Sequence, residues 1–144
     1  MHRESAMNWT LEVVVVPVAD IDRAKAFYAN KLGFHIDHDT VLGQGQRVVQ
    51  LTPPGSGCSV VIGEGVVPHM PPGSLQGLQL VVPDVVHAHE QLVQRGVAVS
   101  EIHVMGGDAD AVRQGGTALD NVGFVFFRDP DGNGWAVQQM SSRG

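Results

Sequence analysis

The chain carries a single cysteine, Cys58, so no disulfide can form within it. A chain so poor in cysteine fits a reducing compartment, and a cytoplasmic location is the expectation. Clusters of basic residues are also missing: 9 Lys and Arg stand against 15 Asp and Glu, for a net charge of −6. A nucleic-acid backbone is therefore repelled on average, with no local basic run to reverse this. Only the 7 histidines can move that balance, and only below neutral pH. Long apolar runs are absent too. The longest aliphatic stretch, Val13 to Val16, falls far short of the roughly 20 residues that span a bilayer. The first residues include His2, Arg3 and Glu4 around no apolar core, so no signal peptide is expected in them. Residues 1–8 are expected to form a disordered tail.

What remains is ordinary globular composition in a length that suits one domain. Its informative feature is an internal repeat. Residues 11–20 (LEVVVVPVAD) match residues 75–84 (LQGLQLVVPD). Both runs end in Val-x-Asp, and both lead into a helix-like segment with an alanine at the same place, Ala24 and Ala88. Asp20 and Asp84 stand where a helix N-cap belongs, offering a carboxylate to free N–H groups. Each helix then stops at a glycine, Gly33 and Gly96, a residue that accepts the left-handed C-cap. Strand patterns follow at 34–39, 46–52 and 58–62, and again at 97–104, 123–128 and 135–140. Each half reads β-α-β-β-β, so the fold class is α+β: two βαβββ modules, 9–67 and 75–141, joined by a proline-rich linker, 68–74. Helices cover one face of each sheet, and the other face curves into half a cup. The insertion 106–121 has no counterpart in the first half. It is expected to be a long loop, a lid or cavity edge hinged at Gly106-Gly107 and Gly115-Gly116.

These residues resemble the vicinal oxygen chelate superfamily, which groups glyoxalases, bleomycin-resistance proteins and dioxygenases. The resemblance runs from about Trp9 to Met140. It is carried by Val18-Ala19-Asp20-Ile21-Asp22-Arg23-Ala24, Phe27-Tyr28, Lys31-Leu32-Gly33-Phe34, Val82-Pro83-Asp84-Val85 and above all Phe126-Phe127-Arg128-Asp129-Pro130-Asp131-Gly132-Asn133. It implies paired βαβββ modules forming a curved mixed-sheet cup, often in a homodimer.

Metal-using members of that superfamily place His, Gln or Glu on the first and last strands of each module, leaving a vacancy for a chelating substrate. Those positions map here to Val13, Ser59, Gly77 and Ala136. Three of the four have no side-chain donor, so no metal and no other cofactor is expected. A shift of two residues on the same strand face would bring in Gln79 and Gln138. The resulting expectation is a ligand-binding cup lined by Val13, Val15, Ser59, Gly77, Gln79, Ala136 and Gln138, shaped for a small hydrophobic or aromatic organic molecule. For Val13 and Val15, plain core packing explains the residue equally well; a buried Gln79 or Gln138 needs partners.

Among other chemistry-bearing residues, alternation places His35, Asp37 and Asp39 on one strand face and Phe34, Ile36 and His38 on the other. A His–Asp pair there fits a general base or a solvated edge strand. His103, beside the long insertion, is the histidine to suspect near a cup mouth; it or the His35/His38 region would serve as acid or base in an enzyme. Residues 129–133 read as turn chemistry, Cys58 as packing, and Trp135 as core beneath a helix. Two functions stay open. One is a metal-free protein that sequesters a drug or natural product, as in antibiotic resistance. The other is an enzyme of the same scaffold, a glyoxalase-like lyase or isomerase or a dioxygenase, acting on a small organic substrate. Fold alone does not choose between them.

Overall fold

The computed structural model describes residues 7–65 and 67–143, so residues 1–6 of the expected tail lie outside the described residues. The first module contains β1 (Val13–Val15), α1 (Ile21–Ala26), β2 (His35–Gly43), β3 (Gln46–Thr52) and β4 (Ser59–Glu64). The second contains β5 (Leu78–Val82), α2 (Val85–Gln94), β6 (His103–Val104), α3 (Ala111–Gln114), β7 (Gly123–Arg128) and β8 (Gly134–Gln139). The two four-stranded sheets have the same topology, β1-β4-β3-β2 and β5-β8-β7-β6. In each, the first and last strands of the module pair in parallel and the remaining pairs are antiparallel. The repeat in the sequence is thus a repeat in space.

The helix ends form as the sequence predicts. The carboxylates of Asp20 and Asp84 accept from the N–H groups of Arg23 and His87, each at 3.1 Å. Gly33 and Gly96 close the two helices at φ of 76° and 79°. Helix α1 continues into a π-helical turn, Phe27–Lys31. The wider turn lets two successive aromatics, Phe27 and Tyr28, both face inward.

That turn makes the joint between modules. Tyr28 packs on Trp135 and Phe34, with centroids 5.8 and 5.7 Å apart, and Phe27 meets Phe127 at 6.2 Å. Phe127 and Trp135 stand on the α2 side of the second sheet, while Tyr28 and Phe34 come from the α1 side of the first. The two helix-covered faces therefore meet inside the chain, and the two open faces look outward on opposite sides. Such aromatic pairs add about 0.5–1.5 kcal/mol each beyond their buried area.

Residues 129–133 lock this joint. Asp129 Oδ1 accepts the N–H groups of Asp131, Gly132 and Asn133, which folds the turn. The same turn then reaches the first module. Asn133 Nδ2 donates to Pro17 O at 2.8 Å, Asp131 Oδ1 accepts from Ala19 N and Arg23 Nη2, and Asp129 Oδ2 accepts from Tyr28 OH at 2.7 Å. Burial first, and then the hydrogen bond and charge of Asp129, hold the Tyr28 phenol protonated well above its ordinary range.

Several strands differ from the sequence expectation. The strand expected at 97–104 pairs as a ladder only at His103–Val104. Upstream, the Ser100 hydroxyl accepts the Phe126 N–H that a strand carbonyl would otherwise take. In β2, a bulge at Asp37 breaks the alternation. His35 and His38 oppose Thr52 and Gln50, whereas Asp39 opposes Val49 and turns to the helix side, where it meets Lys25 at 2.7 Å and Arg47 at 2.8 Å. His35 and Asp39 thus lie on opposite faces, contrary to simple alternation. Hydrogen bonds from Arg47 and then Lys25 hold the Asp39 carboxyl well below the usual carboxylate range. The 106–121 insertion is not structureless: it carries α3 and a 3₁₀ turn, Gly116–Leu119, and buries Ala111 and Leu119 in the core.

Candidate functional site

A groove of about 610 Å³ lies at one end of the second sheet, where the end of β7, the start of β8 and the residues before β5 and β6 meet; Gln76, Phe127 and Trp135 also border it. Its floor is made of small residues, Gly77, Ala98, Gly134 and Ala136, and Phe126 and Arg128 rise beside it. Strand register explains the arrangement. Phe126 is the cross-strand partner of Ala136, and Arg128 that of Gly134, so each large side chain stands next to a position with little or nothing on it. Phe124 stacks on Phe126 nearly in parallel, at 6.0 Å and 4°, and the His103 ring lies 5.6 Å from Phe126. The result is an apolar shelf over a flat floor.

Polar groups lie further along the second sheet. Gln79 Nε2 donates to Gln138 Oε1 at 2.6 Å, and Gln138 Nε2 donates to Asn121 O at 2.9 Å. This chain satisfies the buried Gln138 amide and fixes its orientation. His103 is exposed and has no ion-pair partner among the described residues. A histidine without an orienting carboxylate lacks one part of a general-base pair.

The open face of the first sheet is different in character. Val13 and Ser59 are register partners there. Ser59 Oγ contacts Thr52 Oγ1 at 2.6 Å, Thr52 Oγ1 donates to Asp37, and His35 Nε2 stands 4.0 Å from Asp37 Oδ1. The bulge in β2 is what brings Asp37 to this row. Val15 lines a second cavity of about 440 Å³, between the end of β1 and the linker residues His69 and Met70.

Of the residues expected to line a cup, Gly77 and Ala136 line the groove; Gln79 and Gln138 pair with each other further along the second sheet, and His103 lies against Phe126. The structure holds Val13, Val15 and Ser59 on the opposite outer face. Sequence reasoning missed Phe124, Phe126 and Arg128. Alternation along 123–128 carried the signal, because it separates these three from Val125 and Phe127.

The four positions where relatives carry metal ligands do not fit a metal here. Val13 and Ala136 offer no donor, and Ser59 Oγ is buried and engaged by Thr52. Gly77 has φ of 89°, a backbone region that strains any donor-bearing side chain. No group of three or more His, Cys, Asp or Glu converges among the described residues.

Two modules of identical topology, each with helices behind and an open concave face in front, define the βαβββ cup architecture of the vicinal oxygen chelate class. The chain belongs to the Glyoxalase/Bleomycin resistance protein/Dioxygenase superfamily, which matches over residues 10–137. Among solved structures it is similar to TnmS3, an antibiotic binding protein from Streptomyces sp. CB03234, at 32% identity over 94% of this chain and 98% of that one, with a TM-score of 0.74. A glyoxalase/bleomycin resistance protein from the same strain is 33% identical over 90% of this chain and 100% of that one, with a TM-score of 0.69. A superfamily member from Sphaerobacter thermophilus DSM 20745 is 27% identical over 94% and 100%, with a TM-score of 0.73. No curated protein matches the chain.

Proposed function

We propose that this chain is a metal-free binding protein that holds a small hydrophobic or aromatic organic ligand, and that sequestration of an antibiotic or similar natural product is its role. The observation that carries this reading is the groove itself: a floor of Gly77 and Ala136 beside Phe126, on which Phe124 stacks, at a place where the family's metal chemistry has no donors. A flat floor and an aromatic wall recognise a planar molecule by shape and stacking. Similarity to an antibiotic binding protein at 32% identity supports the same class of ligand. The reading includes a cytoplasmic protein. No helix among the described residues is long and apolar enough to cross a membrane.

The functional unit in this reading is a homodimer. With helix-covered faces packed against each other, each open face is half a cup. The outward surface is also apolar where it would need cover: Trp9 is 87% exposed, Val13 37% and Phe126 36%. A two-fold pair that sets the first sheet of one copy against the second sheet of the other would close two equal cups.

A thermal-shift screen of aromatic natural products, followed by mass spectrometry of the bound compound, tests the function. A ligand that raises Tm and is recovered unchanged supports sequestration. Stoichiometric metal that survives purification, with affinity lost to a chelator, would defeat it. One observation favours a second reading, turnover of the ligand by acid–base chemistry: the Ser59–Thr52–Asp37 row ending at His35. Chemical change of the recovered ligand, abolished by Asp37→Asn, would select that reading.

A further inference from the structure

Among the described cations that border the groove, Arg128 has no partner in the fold. It follows Phe124 and Phe126 at alternate positions on the open face of β7, so the three side chains stand in a row beside the groove. No hydrogen bond or ion pair engages it among the described residues, whereas Arg23, Lys25, Arg47 and Arg113 each hold a carboxylate.

Its nearest acids in sequence are not available to it. Asp129 is saturated by Tyr28, Asn133 and three backbone N–H groups, and Asp131 is bound to Arg23 and Ala19 N. Both carboxylates are turned into the joint between modules. Across the strand from Arg128 stands Gly134, and the Gln76 amide lies over it: a Cβ placed there would come within 2.1 Å of Gln76 Oε1. Gln76 Nε2 donates to the carbonyls of Gly73 and Gly132, which pins the amide in place, and Arg128 makes no hydrogen bond to its Oε1. The groove thus ends at a guanidinium with five donors and no acceptor of its own.

We propose that Arg128 is an anion subsite, so that the preferred ligand is a planar aromatic carrying a carboxylate or another acidic oxygen. The ring would lie on the Gly77–Ala136 floor against Phe126, and the anionic group would take the guanidinium, in the forked geometry that suits a carboxylate. This rests on the groove being the ligand site. It adds charge selectivity, which a net charge of −6 would otherwise work against.

The test compares two probes with one ring, 2-naphthoate and 2-naphthalenemethanol, by isothermal titration calorimetry on the full chain. Wild type is expected to bind the naphthoate at least 10-fold more tightly, with the preference shrinking as salt rises. Arg128→Gln should bring the naphthoate down to the affinity of the alcohol, Arg128→Lys should retain part of the preference, and the distant Arg113→Gln should retain all of it. Equal affinities in wild type, or an equal loss of preference in Arg113→Gln and Arg128→Gln, overturn the subsite while leaving the groove as a site. A failure of both probes to bind counts against subsite and groove together.

Discussion

Replacing Tyr28 by Phe isolates the hydroxyl that ties the two modules. Tyr28 is fully buried and its ring packs among Phe27, Phe34 and Trp135, so phenylalanine fills the same space and leaves no cavity. What goes is an O–H donating to Asp129 at 2.7 Å and accepting from Trp135 Nε1 at 3.0 Å. Asp129 keeps its three backbone donors and Asn133 Nδ2, so its loss is one charge-assisted bond among several. The indole N–H has no other partner, and a buried orphan donor costs about 1–3 kcal/mol. Together these give about 3 kcal/mol. For a chain of this size that is roughly 6–12 °C in Tm. Urea unfolding followed by tryptophan emission measures it well, since Trp135 is buried and Trp9 is 87% exposed, so only the former changes environment strongly. A loss below about 1 kcal/mol would refute the view that this hydroxyl anchors the joint.

Other expectations follow from the same geometry. Gly73 and Gly45 share nearly the same φ, 78° and 77°, but a Cβ on Gly73 would come within 2.0 Å of Asp131 O while one on Gly45 meets nothing within 4 Å. Gly45→Ala should therefore cost only the backbone strain, about 1 kcal/mol, and Gly73→Ala clearly more, read as two denaturation midpoints. Asp39→Asn should lower Tm slightly at pH 7, by no more than an exposed ion-pair network supplies, on the order of 1 kcal/mol. Because the folded carboxyl sits below its ordinary value of 3.8, that stabilisation is present above 3.8 and lost as pH falls through the folded value. The gap between variant and wild type should therefore narrow progressively as pH falls below 3.8; a gap that stays constant from pH 7 down to pH 2 contradicts the assignment. Gln138→Leu should free the Asn121 carbonyl and Gln79, and hydrogen exchange should speed up at 119–122 ahead of the rest of the chain.

The fold was legible because its signals are local and repeated. Asp20 and Asp84 announce helix starts, Gly33 and Gly96 announce stops, and strands β3 and β7 fall at the residues the alternation gives. The exceptions have local causes as well. The Ser100 hydroxyl and the bulge at Asp37 replace or displace ladder pairings, and neither residue type signals this by pattern. The site was legible in part. Gly77 and Ala136, named from the repeat, do line the groove. That Val13 and Gly77 stand on opposite outer faces depends on how Tyr28 meets Trp135, a contact between residues far apart in sequence. Phe126 and Arg128 were read as family signature and not as site residues, because they belong to the run 126–133, whose remaining members 129–133 build the turn.

The back-to-back arrangement has a consequence for how such a chain can change. Side chains that make the joint alternate, along the same strands, with side chains that meet the outside: Val125 and Phe127 inward, Phe124, Phe126 and Arg128 outward. In the proposed reading, selection for foldability and selection for cargo therefore act on separate sets of positions within single strands. One set can be rewritten, toward larger, smaller or oppositely charged guests, while the other keeps the architecture in place.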